Sequence, residues 1–167
     1  RLRRFWDYTQ EKGSFSEYNS PTYSIVAIRE ISRMLRHVND PESRDLIERL
    51  NRFAWRHVAR RRHAPTDQWA GPHSRCYTTM LRDRTRAFIQ YACHGRVRLL
   101  EDPAEHVDTE IHRIDPRCPD EFDPYFGRLE SPRMEIEAFV DHDGDGHDII
   151  GSTWLTPEYT LGSINIG

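Results

Sequence analysis

The sequence predicts an α+β protein in which helices come first and strands follow. Three observations carry that expectation. Apolar residues recur at helical spacing through residues 20 to 61, whereas "RMEIEAFV" near the C-terminal end alternates with the period of a strand. The two regions are separated by "DPAEHVDTEIHRIDPRCPDEFDPYF", which carries three Asp-Pro pairs and reads as an irregular connection. No internal repeat interrupts the order, so helical and β segments are segregated along the chain rather than interleaved.

The first helix is expected from 20 to 38. Ser20 suits the N-cap and Pro21 the first helical position. Ile25, Ile28, Ile31, Leu35 and Val38 fall on one stripe, joined by Ala27 and Met34. "NDP" at 39–41 ends that helix and opens the next, with Asp40 as cap and Pro41 in the first turn. The second helix runs to about residue 61 and turns Leu46, Ile47, Leu50, Phe53, Ala54 and Val58 inward. So short a linker makes the two helices antiparallel. "RRRHAPTDQWAGPHSR" at 60–75 has two prolines, a glycine and no periodicity, and is read as a loop. A third helix is expected over roughly 75–93, through Tyr77, Met80, Leu81, Ala87, Phe88 and Tyr91. "RVRLLE" offers a short strand. "RMEIEAFV", a turn at "DHDGDGHD" and "IIGSTWLTPEYTLGSINI" complete the β region. The organisation that follows is a helical portion at 1–95, a connection at 96–134 and the start of a β-sheet domain at 135–167.

The chain has 167 residues, enough for one sizeable core, and its formal net charge is -3. That balance gives no basic excess for nucleic acid, and no run approaches the roughly 18 apolar residues of a membrane helix. Lys12 is the only lysine, so nearly all positive charge is arginine, whose planar fork suits carboxylate and sulfate partners. The three cysteines, Cys76, Cys93 and Cys118, form no CxxC pair, and neither a disulfide framework nor a zinc knuckle is indicated. The chain opens on Arg1 and stops in "TLGSINIG", which reads as a piece of a longer protein. The compartment is left open.

Two polar clusters sit where chemistry can be placed. "FSEYNSPTY" puts Glu17, Asn19 and Tyr23 around the mouth of the first helix, where free N–H groups and the helix dipole favour anions. "QWAGPHSRCY" offers Gln68, Trp69, His73, Arg75 and Tyr77 ahead of the third. Read singly, each has an ordinary structural role: a cap, a core plug, a surface hydrogen bond. Read together, the first and third helices of an up-down arrangement point the same way, so their leading loops become neighbours. Glu17, Asn19 and Tyr23 then come within reach of Trp69, His73 and Arg75. Trp69 offers a stacking platform for a sugar ring, His73 a proton carrier near neutral pH, and Arg75 a bidentate grip on an anion.

The turn "DHDGDGHD" places Asp141, Asp143 and Asp145 at the first, third and fifth positions of a calcium loop, with Gly146 at the sixth. The twelfth position is Ser152 instead of glutamate and the flanks are strands, which argues against an EF-hand. A looser calcium site and a plain acidic hairpin turn both remain open.

The stretches "FSEYNSPTY", "QWAGPHSR" and "TWLTPEYTLGS" resemble segments of bacterial proteins similar to the heparinase II/III and alginate-lyase-like group. The resemblance spans residues 5–93 and 135–167. It implies that the helical hairpins are part of an (α/α) toroid followed by sandwich-like β layers, with a substrate cleft at the rim. It also implies a polysaccharide lyase acting on acidic glycans by β-elimination, with a polysaccharide or oligosaccharide as partner. No cofactor is expected, apart from the structural Ca2+ left open by the spacing of Asp141, Asp143 and Asp145. Carried over by residue, Asn19 is the neutraliser of the uronate carboxylate, Tyr23 the acid and His73 the base, assisted by Arg75. Glu17, Gln68, Trp69 and Tyr77 would contact substrate. A glycoside hydrolase on the same scaffold, with Glu17 as general acid, and a non-catalytic carbohydrate-binding protein are the alternatives.

Overall fold

The computed structural model of the chain describes residues 1–140 and 148–165. It is a mixed helix and sheet protein, 47% helical and 14% strand, as the segregated sequence pattern predicts. Helices α1 (Leu2–Lys12), α2 (Tyr23–His37) and α3 (Pro41–Arg61) lead. A two-residue hairpin follows, β1 (Arg62–His63) with β2 (Gln68–Trp69), and then α4 (Asp83–Ala92), α5 (Glu110–Ile114) and α6 (Asp123–Phe126). The antiparallel sheet β3 (Arg133–Val140), β4 (Asp148–Leu155) and β5 (Thr160–Ile164) closes the chain in the order β3-β4-β5.

Helices α2 and α3 form the expected hairpin. Ile28 and Ile31 meet Ile47, Leu50, Ala54 and Val58 in one core that also takes Trp55, Phe88 and Ile89. Asp40 caps α3 as expected, accepting the N–H of Ser43 at 2.9 Å. Ser20 performs its expected task one turn ahead of α2. Its hydroxyl accepts the N–H of Tyr23 at 3.2 Å and its carbonyl that of Ser24 at 2.9 Å.

Three expectations are corrected. Helix α1 occupies residues for which the pattern gave no element. The third helix begins at Asp83 and not near 75, so Tyr77 and Met80 lie on an exposed loop. "RVRLLE" makes no strand. The irregular connection after α4 packs: Ile111, Ile114, Cys118, Phe122 and Phe126 enter the same core as the helices.

The sheet is turned opposite to what its apolar alternation suggests. Register pairs Glu135 with Thr153 and Met134 with Trp154, so the two sets face opposite sides. Glu135 and Thr153 are buried, whereas Met134, Ile136 and Leu161 are 49%, 64% and 64% exposed. The face against the helices is therefore the charged one. Its carboxylates find their partners on α3: Arg60 Nε lies 2.6 Å from Glu135, while Arg61 and His57 hold Glu137 at 2.7 and 3.1 Å. Gly13, at φ 70 after α1, completes the contact, because a Cβ there would stand 2.5 Å from the carbonyl oxygen of Ala138.

Candidate functional site

The two loops singled out in the sequence meet. Ser74 N–H donates to the carbonyl of Tyr18 at 3.1 Å. The Asn19 side-chain amide donates to the carbonyls of Ala70 (3.0 Å) and Pro72 (2.6 Å), and its oxygen accepts the indole N–H of Trp69 at 2.7 Å. Nδ1–H of His73 donates to the backbone carbonyl of Asn19 at 2.7 Å. The contact is made by the loops themselves rather than by helix mouths, since residues 75–82 are not helical.

Asn19 is suited to this junction twice over. Its φ of 42 is left-handed, a conformation asparagine tolerates better than most residues, and its amide is a compact double donor and acceptor. That completeness bears on its expected role. Asn19 is 3% exposed and every amide group is engaged within the protein, so it acts as the tie between loops instead of a free donor for a substrate carboxylate. Trp69 is likewise corrected. At 5% exposure it belongs to the core, and no face is open for a sugar to stack on. Gln68 turns its side-chain oxygen to the N–H of Leu81 at 2.7 Å and so holds the following loop.

Beneath both loops lies Arg61, fully buried at the end of α3. Its guanidinium sits 5.4 Å from the Tyr18 ring centre, and its Nε donates to the hydroxyl of Thr153 at 3.2 Å. Thr153 in turn donates to the carbonyl of Gly71 at 2.6 Å. Gly162 of β5 packs on the same peptide so closely that a Cβ would stand 2.4 Å from the Gly71 carbonyl carbon. Sheet and helix together fix where the 68–77 loop sits. None of Arg61, Glu137, Thr153 and Gly162 was singled out from the sequence. The available signal was the pair of acids Glu135 and Glu137 on one face of a strand, which requires cations opposite.

What remains at the surface is an open cluster of Glu17, Tyr23, Arg75 and Tyr77. Arg75 Nε lies 3.2 Å from Glu17, and the hydroxyls of Tyr23 and Tyr77 lie 3.2 Å apart. Arg75 also hydrogen-bonds the Tyr77 oxygen. The phenols are driven in opposite directions. Tyr77 falls below the ordinary tyrosine value because Tyr23 and then Arg75 hydrogen-bond to its oxygen. Tyr23 is raised, chiefly by that same bond and by the charge on Tyr77. His73, half-buried behind them, is held below its ordinary value by burial, against the pull of the Asn19 and Trp69 carbonyls. It therefore stays neutral more readily than a surface histidine.

A groove of about 350 Å³ runs from this cluster between α1 and α2, lined by Phe5, Tyr8, Phe15, Glu17, Tyr23 and Met34. Phe5 and Tyr8 are 46% and 41% exposed, so aromatic surface missing at Trp69 is present here. The calcium-loop residues Asp141, Asp143 and Asp145 lie outside the described residues. Among the described residues no three His, Cys, Asp or Glu side chains gather to hold a metal, and no helix is long and apolar enough to cross a membrane. No protein-family model, no curated protein and no solved structure matches the chain.

Proposed function

We propose that the chain carries the catalytic rim of a polysaccharide lyase that cleaves uronate-containing glycans by β-elimination. The observation that carries the reading is geometric: the Tyr23 and Tyr77 hydroxyls lie 3.2 Å apart in the open, beside a solvent-facing arginine that Glu17 holds at 3.2 Å. Two adjacent titratable groups pushed apart by their surroundings divide naturally into base and acid.

The roles follow from the groups present. Arg75, 56% exposed at its side chain, exchanges Glu17 for the substrate carboxylate and stabilises the charge that grows there. Tyr77, as phenolate, takes the C5 proton. The C5 electron pair forms the C4–C5 double bond as the C4–oxygen bond breaks. Tyr23 gives its proton to the leaving oxygen, and the 3.2 Å contact lets the proton on Tyr77 pass back to Tyr23 for the next cycle. Phe5 and Tyr8 offer ring faces to neighbouring sugars along the groove. This assignment moves the base from His73 to Tyr77 and the neutraliser from Asn19 to Arg75, while Asn19, Trp69 and His73 hold the loops that carry them.

The finer architecture belonging to this reading is part of an (α/α) toroid followed by sandwich-like β layers. The resemblance of "FSEYNSPTY" and "QWAGPHSR" to heparinase-like proteins supports it, as does the apolar outward face of β3–β5, the kind a sandwich covers.

The test is incubation with a panel of uronate polymers, followed by ultraviolet absorbance and reducing-end assay. Lyase action raises both together, because each break leaves an unsaturated uronate. Reducing ends without absorbance mean hydrolysis, and binding with neither signal means a carbohydrate-binding protein; either result rejects the proposal.

A further inference from the structure

Two of the three cysteines are buried side by side, away from the rim. Cys93 closes α4 at 0% exposure, and Cys118 is 2% exposed. The N–H of Cys118 donates to the carbonyl of Ala92 at 2.9 Å, which sets its backbone directly against the 92–93 peptide. Arg96 bridges the two positions, its own N–H bonding the Cys93 carbonyl at 3.1 Å and its guanidinium the Cys118 carbonyl at 2.7 Å. The neighbouring Cys93 thiol and then burial hold the Cys118 thiol well above the ordinary cysteine range, its Sγ lying 3.7 Å from the Pro119 carbonyl oxygen, so a thiolate forms there only when the pair opens to water. A backbone approach of this kind is compatible with the roughly 4.4–6.8 Å Cα separation a disulfide spans.

Between the two cysteines lies segment 94–117. It walls a cavity of about 530 Å³ with Tyr91, His94, Pro103, Val107, Thr109 and His112 on its lining. The segment leaves α4 through His94 and Gly95, both left-handed, at φ 50 and 79. That tight turn follows the end of a ten-residue helix, and helix ends are where local opening costs least.

We infer that Cys93 and Cys118 form a redox-modifiable pair, in which a small-molecule disulfide converts the two thiols into a bond that closes segment 94–117 on itself. In balance, one cysteine as thiolate attacks a sulfur of the reagent and expels one thiolate. The second cysteine attacks the mixed disulfide and expels the other. The protein loses two electrons and two protons, and the reagent is reduced to two thiols. Cys76, exposed on the rim loop, stands apart as a site for a mixed disulfide only. This inference is independent of the proposed catalytic activity.

The experiment uses the full chain under native conditions with oxidised glutathione. Free thiols are then alkylated after unfolding, and peptides are mapped without reduction. The expected product joins the peptides of Cys93 and Cys118, two hydrogens lighter than the reduced pair, and persists in Cys76→Ser. Cross-linking should raise the melting temperature by roughly 5–10 °C, reversibly with dithiothreitol, because the closed loop restricts the unfolded chain. Glutathione on Cys76 with Cys93 and Cys118 both alkylated would overturn the inference. So would a cross-link through Cys76, or a glutathione adduct that never resolves. Cys118→Ser should remove the cross-link, and the wild-type map decides the question even if that variant fails to fold.

Discussion

Two regions of this molecule are built from the same kinds of side chain and behave in opposite ways. At the seam between α3 and the sheet, Arg61, His57, Glu135 and Glu137 are packed out of water, with Arg60 closing the solvent edge over Glu135. At the rim, Glu17, Arg75, Tyr23 and Tyr77 make similar contacts in the open. A buried ion pair cannot exchange its partner without stranding a charge, so the seam is a fixture. An exposed pair is worth little and lets go easily, so the rim can exchange its partners. Arginine and carboxylate do not by themselves mark a site; the solvent around them decides whether they hold the fold or work on a ligand.

The largest expected effect breaks the rim alone. Tyr77→Phe removes the proposed base while leaving the ring, and the proposed elimination should fall by about 10²–10⁴-fold with an unchanged melting curve. A matching loss of stability would place Tyr77 with the seam. The converse variant is Glu137→Gln, which strands Arg61 and His57. It should cost about 3–5 kcal/mol in urea unfolding.

Acid sharpens the same contrast. The Glu137 carboxyl is held at about 2, against an ordinary 4.5, by His57 and then Arg61, which together outweigh its burial. The folded form therefore binds fewer protons than the unfolded one. Its contribution, on the order of 3 kcal/mol, is present above pH 4.5 and lost as pH falls toward 2. Glu135 works against this, because burial raises it and the folded form takes up a proton more readily than the unfolded one. His73, depressed by burial, adds a further decline as pH falls below about 6.5. Unfolding followed across pH should show stability dropping through these windows, with the acid step diminished in Glu137→Gln.

Gly162→Ala tests the link between the regions. The new Cβ meets backbone, not a movable side-chain tip, so the 71–72 peptide or β5 must shift at about 1–3 kcal/mol. The accompanying displacement of the rim loop should lower activity more than the stability change alone explains. The smallest effect is reserved for Glu17→Gln, which should leave melting unmoved, as an exposed partner of Arg75 should.

The order of elements, the α2–α3 hairpin and the Asp40 cap were legible because each rests on local pattern: spacing, caps and a short linker. The meeting of the 15–23 and 68–77 loops was legible too, although for a reason the structure changes. The third helix was placed too early because Tyr77, Met80 and Leu81 fall at helical intervals. The intervening polar side chains prefer the backbone: Thr78 donates to the Met80 carbonyl at 2.9 Å, and the Cys76 thiol to that of Thr78 at 2.9 Å. Composition cannot tell a donor facing water from one facing a carbonyl, so it does not separate a stacking Trp69 from a core one or a free Asn19 amide from a tied one. The charged inner face of the sheet was hidden because its partners lie far away in sequence, between Arg61 and Glu137.

The central claim is that Tyr23 and Tyr77 are a polarised pair. It is tested most directly by titrating the chain with tyrosine ring carbons labelled, resonances assigned through Tyr23→Phe and Tyr77→Phe. The account predicts that Tyr77 ionises below an ordinary tyrosine and Tyr23 above it, and that Arg75→Gln moves Tyr77 back up. Both phenols titrating together at the ordinary value, indifferent to Arg75, would contradict it.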